Sequence, residues 1–210
     1  MNIIVAADRG WGIGKGGDLL YSIPEDMRFF RTMTAGKTVI MGRATLESLP
    51  NGRPLPKRRN IILSRTLSEV DGAEVCKTPE EVVALLSDAP SEDIFVIGGE
   101  SVYRDMLPFC DTAYITKIED ERDADRHLVN FDKLGDWKIS YRSPMKEHEG
   151  IYFAFLTYKI RDEISLRLPQ NRTLSSYSEP PVRQHPSPGY RYMKQHAHNH
   201  HATPHAQAPY

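Results

Sequence analysis

The chain has 210 residues, of which 40% are hydrophobic and 26% charged, and its formal net charge at pH 7 is −1. Its length and composition suit a soluble protein with one well-buried core, and the near-neutral charge argues against a nucleic-acid-binding protein. No apolar run approaches the roughly 18 to 20 residues that a membrane span needs, so no membrane partner is expected.

The first 160 residues alternate short apolar runs with amphipathic stretches. The apolar runs predict strands at residues 2–7, 38–41, 60–63, 74–77 and 94–99. The amphipathic stretches predict helices at about residues 24–34, 43–49, 79–87 and 100–107. Runs of Ile and Val without polar alternation predict strands covered on both faces, and the strand-helix-strand order predicts parallel crossovers. The predicted fold class is therefore α/β.

The pattern changes after residue 108. Residues 112–119, 137–143 and 151–160 alternate polar and apolar side chains with no clear helix between them, which predicts antiparallel strands at one edge of the sheet. Residues 161–210 hold seven of the 15 prolines and six of the eight histidines, which predicts a disordered tail. Its segment HAHNHH offers imidazoles to a divalent metal, but nothing fixes a ligand geometry, so we assign no metal site.

The segment LLYSIPEDMRFFRTM carries the signals of a helix start. Ser22 is predicted to cap the helix and Glu25 to complete a capping box, with Pro24 in the first turn. Helical spacing puts Asp26 on or beside the apolar face that contains Phe30. A buried carboxylate is costly unless a partner offers hydrogen-bond donors, so Asp26 is a candidate ligand-binding acid. The alternative is a solvent-facing acid favoured by the helix dipole.

The segment GWGIGKGG at residues 10–17 contains the G-x-G-x-x-G spacing of dinucleotide-binding folds. A Rossmann fold needs a helix to start at these glycines and an acid at the end of the second strand. Here the helix signals begin only at Ser22, and the second strand is followed by Arg43. We therefore reject the Rossmann fold and predict a mobile loop at these glycines.

Cations follow several of the predicted strands. Arg43 opens a helix directly after one strand, Arg65 follows Ser64 after the next, and Lys77 ends a third. Ligands of open α/β sheets bind at the carboxyl ends of the strands, and three cations there suit a nucleotide with an additional 2′-phosphate. The two glycines of IGGE at residues 97–100 suit a pyrophosphate. For each cation taken alone, a solvated surface charge is the alternative.

Four stretches in sequence order resemble the dihydrofolate reductase family: GIGKGGDLLYSIPEDMRFF, VIMGRATLESLP, GRPLPKRRNIILSR and FVIGGESVYRDMLP. The resemblance covers about residues 1–160. It implies a central, mostly parallel eight-stranded sheet with an antiparallel edge and four flanking helices. It also implies NADPH as cofactor and dihydrofolate as substrate, with hydride transfer from nicotinamide C4 to pterin C6 and protonation at N5.

The resemblance assigns roles to individual residues. Asp26 matches the acid at the back of the pterin pocket, Thr116 its hydrogen-bond partner, and Tyr21 a position where many members carry Trp. Arg58 matches the arginine that binds the glutamate α-carboxylate of the substrate, with Arg59 as the rival assignment. The remaining substrate-binding positions are Ile4, Val5, Ala6, Met27, Phe30, Leu49, Leu55, Ile97 and Tyr103. The cofactor-binding positions are Ala6, Ile13, Gly14, Leu19, Gly42, Arg43, Ala44, Thr45, Leu63, Ser64, Arg65, Lys77, Gly98, Gly99, Glu100, Ser101, Val102 and Tyr103.

Two alternative functions remain open at this stage. One is a related pterin or pyrimidine reductase of the riboflavin pathway, against which the pair of Asp26 and Arg58 argues. The other is a non-enzymatic nucleotide- or metal-binding module, against which the pair of Asp26 and Thr116 argues. The substitution of Tyr21 for the family's Trp predicts altered loop closure rather than lost chemistry.

The amino terminus and the cysteines indicate a reducing compartment. The segment MNIIVAADRG lacks the basic start and the long apolar stretch of a signal peptide. Cys76 and Cys110 have no metal-like spacing, so both are expected to be reduced packing residues. We therefore expect a cytosolic protein, and a monomer because no exposed apolar stripe demands a partner.

Overall fold

The structure, a computed structural model, describes residues 1–160. The predicted disordered tail and its histidine cluster lie outside the described residues. The strands are β1 (Asn2–Ala7), β2 (Gly12–Lys15), β3 (Asp18–Leu19), β4 (Thr38–Gly42), β5 (Arg59–Leu63), β6 (Glu74–Cys76), β7 (Ile94–Gly98), β8 (Thr112–Ile118), β9 (Arg126–His127), β10 (Trp137–Arg142), β11 (Lys146–His148) and β12 (Ile151–Ile160). The α-helices are α1 (Pro24–Thr34), α2 (Arg43–Ser48), α3 (Pro79–Leu85) and α4 (Glu100–Met106).

The main sheet has the strand order β10-β12-β8-β1-β7-β4-β5-β6. Strands β8, β1, β7, β4, β5 and β6 run parallel to one another, whereas β12 is antiparallel to β8 and also pairs antiparallel with β10. The predicted eight-stranded, mostly parallel sheet with an antiparallel edge is therefore confirmed. A ninth strand, β11, pairs with β12 and was not predicted.

Apolar side chains cover both faces of the parallel strands. Neighbouring residues of one strand belong to different apolar clusters, because successive side chains point to opposite faces. Ile3 belongs to the larger cluster and Ile4 to the second, and Ile61 and Ile62 divide in the same way. The continuous Ile and Val runs of the sequence are thus explained, since neither face of these strands is left to water.

Helix α1 begins at Pro24 as predicted, but the predicted capping box is wrong. The N-cap residue is Ile23, and no side chain caps the helix. Glu25 instead pairs with Lys146 on β11, with 2.8 Å between Oε1 and Nζ. Glu25, which the local pattern assigned to the capping box, therefore forms an ion pair with a residue far along the chain. The cap of α3 is confirmed, because Thr78 Oγ1 accepts a hydrogen bond from the Glu81 amide at 3.2 Å.

The glycine-rich segment, which the sequence predicts to be a mobile loop, forms a β-hairpin whose strands were not predicted. Strand β2 pairs with β3, and on its other side β2 pairs with β9, which gives a small three-stranded sheet. The partner strand β9 lies more than 100 residues along the chain, which local sequence patterns do not show. No helix starts at these glycines, which confirms the rejection of a Rossmann fold.

Two further observations concern packing and membrane contact. Cys76 and Cys110 are buried and free, as predicted for reduced packing residues. Within residues 1–160, every helix is too short or too polar to cross a bilayer.

The core strand β5 provides a test of the fold. Ile61 is fully buried, so Ile61→Ala should lower the free energy of unfolding by about 3 kcal/mol through lost burial and a residual cavity. Leu85→Ala, at a side chain that is 40% exposed, is the control and should cost about 1 kcal/mol or less. Urea unfolding of both variants checks this, and equal losses would contradict the assigned core.

Candidate active site

A hydrogen bond between α1 and β8 defines the centre of the site. Thr116 Oγ1 donates to Asp26 Oδ1 at 2.6 Å, and the Thr116 side chain is buried. The parallel register of β1 and β8 sets Ala6 beside Thr116. The structure therefore brings together Ala6, Asp26 and Thr116, which the sequence assigned to the site. Ala6 and Thr116 are 110 residues apart in the chain.

The Asp26 carboxylate is short of positive partners. Burial raises its pKa above the ordinary aspartate value, and the hydrogen bond from Thr116 works in the opposite direction. None of the ion pairs within residues 1–160 includes Asp26, while its neighbour Glu25 is paired with Lys146. A ligand that offers N–H donors to Asp26 would therefore compensate a carboxylate that the fold leaves only partly satisfied.

Tyr103 on α4 shares this electrostatic environment. Its hydroxyl donates to the backbone carbonyl of Ile4 at 3.0 Å, and the side chain is buried. Burial and then the negative charge of Asp26 raise the pKa of Tyr103, so the phenol remains protonated and serves as a donor. Tyr103 is therefore fixed to the middle of β1 and lies within electrostatic reach of Asp26.

Five of the predicted substrate-binding residues belong to a single apolar cluster on the α1 face of the sheet. Ile4 and Ile97 are buried members of this cluster. Phe30, Leu49 and Leu55 are partly buried and pack against it. Val5 and Met27 are partly buried on β1 and α1. The cluster supplies the apolar wall that a flat aromatic ligand beside Asp26 would need.

Tyr21 lies in the segment before α1 and is 7% exposed. Its hydroxyl has no hydrogen-bond partner within the described residues. Burial, followed by the charges of Asp120 and Asp8, raises the pKa of Tyr21 to about 12. The Arg122 guanidinium lies 4.1 Å from the centre of the Tyr21 ring. The hydroxyl therefore lies near the charged loop between β8 and β9.

Arg58 and Arg59, which the sequence left as rivals, have different environments. Arg59 forms a bidentate ion pair with Glu74, with distances of 2.7 and 3.1 Å. Arg58 instead is held by neutral oxygens: Nε donates to Thr34 Oγ1 at 3.0 Å, and Nη1 donates to the Pro56 carbonyl at 2.8 Å. Arg58 therefore retains an uncompensated charge near the C-terminus of α1.

Most of the predicted cofactor residues lie at the carboxyl ends of four adjacent parallel strands. Strands β7, β4, β5 and β6 are neighbours and parallel, so their carboxyl ends face the same way. The residues that end or follow these strands are Gly98, Gly99, Glu100, Ser101 and Val102 after β7, Gly42, Arg43, Ala44 and Thr45 after β4, Leu63, Ser64 and Arg65 after β5, and Lys77 after β6. This row of glycines, hydroxyls and cations suits an extended nucleotide.

Two glycines keep backbone space open at this edge. A Cβ atom on Gly42 would lie 2.9 Å from Val102 Cγ2, and one on Gly98 would lie 3.0 Å from the Tyr103 ring. Gly98 also has φ of +114°, which favours glycine. The peptide bond between Gly98 and Gly99 is cis. The close approach of the β4 and β7 ends fits a pyrophosphate held by backbone N–H groups.

The polar side chains at these strand ends differ in whether other protein groups already bind them. Arg43 pairs with Glu47 at 3.0 Å, and the Lys77 ammonium donates to the carbonyl of Leu67. Ser64 Oγ accepts from backbone amides of its own turn. Arg65 is exposed and forms no ion pair within residues 1–160. Arg65 is therefore the cation most available to a phosphate.

The hairpin residues assigned to cofactor binding differ in their exposure to solvent. Ile13 is buried, Gly14 pairs with Leu19 across the hairpin, and the Leu19 side chain is 69% exposed. The hairpin thus presents Leu19 to solvent.

Three polar residues that support the site were not predicted from the sequence. At the end of α1, Thr34 Oγ1 and the backbone carbonyl of Arg31 accept hydrogen bonds from the Arg58 guanidinium, and Arg122 covers Tyr21. Thr34 could have been found from the sequence, because it is a polar residue next to apolar residues in the predicted helix. Nothing local identified Arg122, because its partners lie about 100 residues earlier in the chain.

The open α/β sheet, with glycines and cations at the carboxyl ends of its parallel strands and a partly buried acid beside them, defines a nucleotide-dependent enzyme class. The family model for dihydrofolate reductase matches residues 1–160. The chain belongs to the dihydrofolate reductase family. As a member, it is an oxidoreductase that uses NADPH.

Individual relatives agree with this assignment. Dihydrofolate reductase of Bacillus subtilis (strain 168) is 39% identical over 162 residues, which cover 76% of this chain and 94% of that protein. Dihydrofolate reductase type 3 of Salmonella typhimurium is 38% identical over 75% of this chain and 96% of that protein. The solved structure of Enterococcus faecalis dihydrofolate reductase, complexed with NADP(H) and RAB-propyl, matches with a TM-score of 0.67 and 29% identity, over 77% of this chain and 96% of that chain.

The burial of Asp26 predicts a cost in stability. Because its folded pKa is raised, protonated Asp26 adds stability at low pH that is lost as pH rises through the folded pKa. Asp26→Asn stays neutral and keeps an oxygen for Thr116, so at pH 7 it should be more stable than the parent protein by about 1 kcal/mol.

This difference should shrink as pH falls and Asp26 itself becomes protonated. Urea unfolding of both proteins across pH 3 to 8 measures it. Asp88→Asn, at an exposed position, is the control and should show no such trend. A loss of stability on Asp26→Asn at pH 7 would contradict the proposed cost.

Proposed function

We propose that this chain reduces dihydrofolate to tetrahydrofolate and so supports one-carbon metabolism. The observation that carries the proposal is the partly buried Asp26 carboxylate, which accepts a hydrogen bond from Thr116 and has no cationic partner within residues 1–160. The amidine-like edge of a pterin offers two N–H donors to such a carboxylate. The resulting charge-assisted pair fixes the orientation of the ring.

Asp26 is proposed to act by binding and polarising the pterin. Its negative charge favours positive charge on the ring, and so favours protonation at N5. Asp26 touches the opposite edge of the pterin in this arrangement, so a water molecule that enters beside the β2–β3 hairpin is proposed to deliver the N5 proton. When bound, NADPH supplies the hydride. Positioning and a preorganised charge therefore account for most of the catalysis that we assign to the chain.

The cofactor is proposed to lie along the carboxyl ends of β7, β4, β5 and β6. Backbone groups from Gly98 to Val102 suit its pyrophosphate, and Arg65, Arg43 and Lys77 suit its 2′-phosphate. Arg43 and Lys77 would have to exchange their present partners, Glu47 and the Leu67 carbonyl, for the phosphate. Ala6 and Tyr103 are proposed to border the nicotinamide.

Tyr21 is proposed to serve as a positioning residue. Its ring packs under Arg122, and Arg122 Nη1 donates to the Leu20 carbonyl at 2.6 Å. Both contacts tie the segment before α1 to the loop after β8. Tyr21 would therefore affect the closure of the hairpin loop over the site more than the chemical step.

The apolar cluster and Arg58 complete the proposed substrate site. The cluster on the α1 face encloses the pterin and benzoyl groups, and Arg58 binds the α-carboxylate of the glutamate. We further propose that the protein acts as a monomer in the cytosol. The free, buried cysteines are consistent with a reducing compartment.

The first test of function is the rate of NADPH oxidation with dihydrofolate. Asp26→Asn removes the charge but keeps the shape, and should lower kcat/KM by about 100- to 1000-fold. Asp88→Asn should leave kcat/KM within about twofold of the parent. Undiminished turnover by Asp26→Asn would refute the role of Asp26. Turnover of a ribitylamino-pyrimidine in place of dihydrofolate would favour the riboflavin-pathway alternative.

The second test separates the two arginines. Arg58→Gln should raise KM for dihydrofolate by about 10- to 100-fold with a smaller change in kcat, because a charged contact to the glutamate is lost. Arg59→Gln should change KM by less than about threefold, since Arg59 is engaged with Glu74. Steady-state kinetics of both variants decide the assignment, and the reverse order of effects would transfer the role to Arg59.

A further inference from the structure

Lys117 follows Thr116 on β8 and faces the opposite side of the sheet, because successive strand residues alternate between the two faces. Thr116 faces α1, where it binds Asp26. The register of β1 and β8 places Lys117 beside Ala7, and its side chain reaches the β1–β2 turn, which we define as residues 8–11. Strand β8 therefore contacts the proposed substrate acid with one residue and the start of the hairpin with the next.

Three contacts hold the Lys117 ammonium against the β1–β2 turn. Its Nζ atom donates hydrogen bonds to the backbone carbonyl of Asp8 and, at 3.2 Å, to that of Arg9. The same atom lies over the Trp11 ring, 4.1 Å from the ring centre. Hydrogen bonds from a charged donor are stronger than those between neutral groups, and a cation is attracted to the face of an indole. One ammonium group of a neighbouring strand therefore holds most of the turn.

The charge of Lys117 has no carboxylate bound directly to it. Burial lowers the pKa of Lys117, and the charges of Asp132, Asp8 and Glu119 act in the opposite direction. Within residues 1–160, Lys117 forms hydrogen bonds to neutral carbonyl oxygens and no ion pair. A half-buried ammonium that lost these oxygens would remain poorly solvated, so the contacts favour one position of the turn.

The β1–β2 turn needs support from outside because Trp11 has an unfavourable backbone conformation. Its φ is +67°, in the left-handed region that bulky side chains rarely adopt. The Trp11 amide donates to the Asp8 carbonyl at 3.0 Å, and the Gly12 amide donates to Asp8 Oδ1 at 2.7 Å. Lys117 therefore binds the same carbonyl oxygen on which the turn closes.

The position of this turn determines where the hairpin lies. Strand β2 begins at Gly12, directly after the turn, and continues through the proposed cofactor residues Ile13 and Gly14. Strand β1, directly before the turn, carries Ala6, which is proposed to border the nicotinamide. A displacement of the turn would therefore disturb the proposed nicotinamide site from both sides.

On this basis we propose that Lys117 is a positioning residue for the nicotinamide end of the cofactor. It acts through the backbone of residues 8–11 rather than by contact with the cofactor or the substrate. The inference rests on the proposed placement of the cofactor, because it takes the hairpin as one wall of the nicotinamide site. Without the ammonium, NADPH would have to order the hairpin when it binds, which costs affinity.

The test is Lys117→Met, which keeps the alkyl stem and removes the charge. The Kd for NADPH, measured by calorimetry without dihydrofolate, should rise by about 5- to 20-fold, because charged hydrogen bonds are lost. The KM for dihydrofolate should change by less than about threefold. In the free protein, amide hydrogen exchange over residues 12–15 should be about tenfold faster. Lys117→Arg keeps the charge and should restore the Kd for NADPH to within about threefold of the parent value.

Lys138→Met, at an exposed lysine on β10, is the matched control and should change none of these quantities. The midpoint of urea unfolding should shift by less than about 0.5 M in Lys117→Met, which separates positioning from a role in overall stability. If Lys117→Met does not fold, Lys117→Gln provides the same comparison.

A Kd for NADPH within about twofold of the parent value in the neutral variant would overturn the inference. A failure of Lys117→Arg to restore that Kd, or an equal loss in Lys138→Met, would overturn it as well. Absence of dihydrofolate turnover by a parent protein that binds NADPH would instead refute the proposed function and leave the role of Lys117 intact.

Discussion

The site depends on one carboxylate that the fold keeps out of water without neutralising it. Asp26 has the hydroxyl of Thr116 as its hydrogen-bond donor among the described residues, and its burial raises its pKa. A protein core tolerates such a group only at a cost in stability, which a ligand with N–H donors can offset. The same burial that weakens the free protein is therefore the feature on which we base the proposed recognition of a nitrogen-rich ring.

The parallel sheet brings scattered sequence motifs to one end of its strands, where we propose that the cofactor binds. Each cofactor motif follows a different strand, and the segments between them are helices and turns that return the chain to the same end of the sheet. Because β7, β4, β5 and β6 are adjacent and parallel, residues from 42 to 102 meet along a single line. The antiparallel strands β12 and β10 extend the opposite side of the sheet, where β8 contributes Thr116.

The errors of the sequence-based predictions share a physical cause. Glu25 left the predicted capping box because Lys146, 121 residues later, offered an ion pair. The strands of the glycine-rich segment were also missed, and β9 pairs with β2 from far along the chain. In both cases the partner lies more than 100 residues along the chain, beyond the reach of local patterns. The cap at Thr78, where no such competitor intervenes, formed as predicted.

The sequence by itself determined the α/β class, the bounds of the main strands and helices within about two residues, and the family. It could do so because apolar periodicity and motif order are local properties of the chain. Only the tertiary structure decided that Arg59 is engaged by Glu74 while Arg58 is not, and that Arg122 packs over the Tyr21 ring. These facts depend on which distant side chains share a space, and that follows from packing rather than from any local pattern.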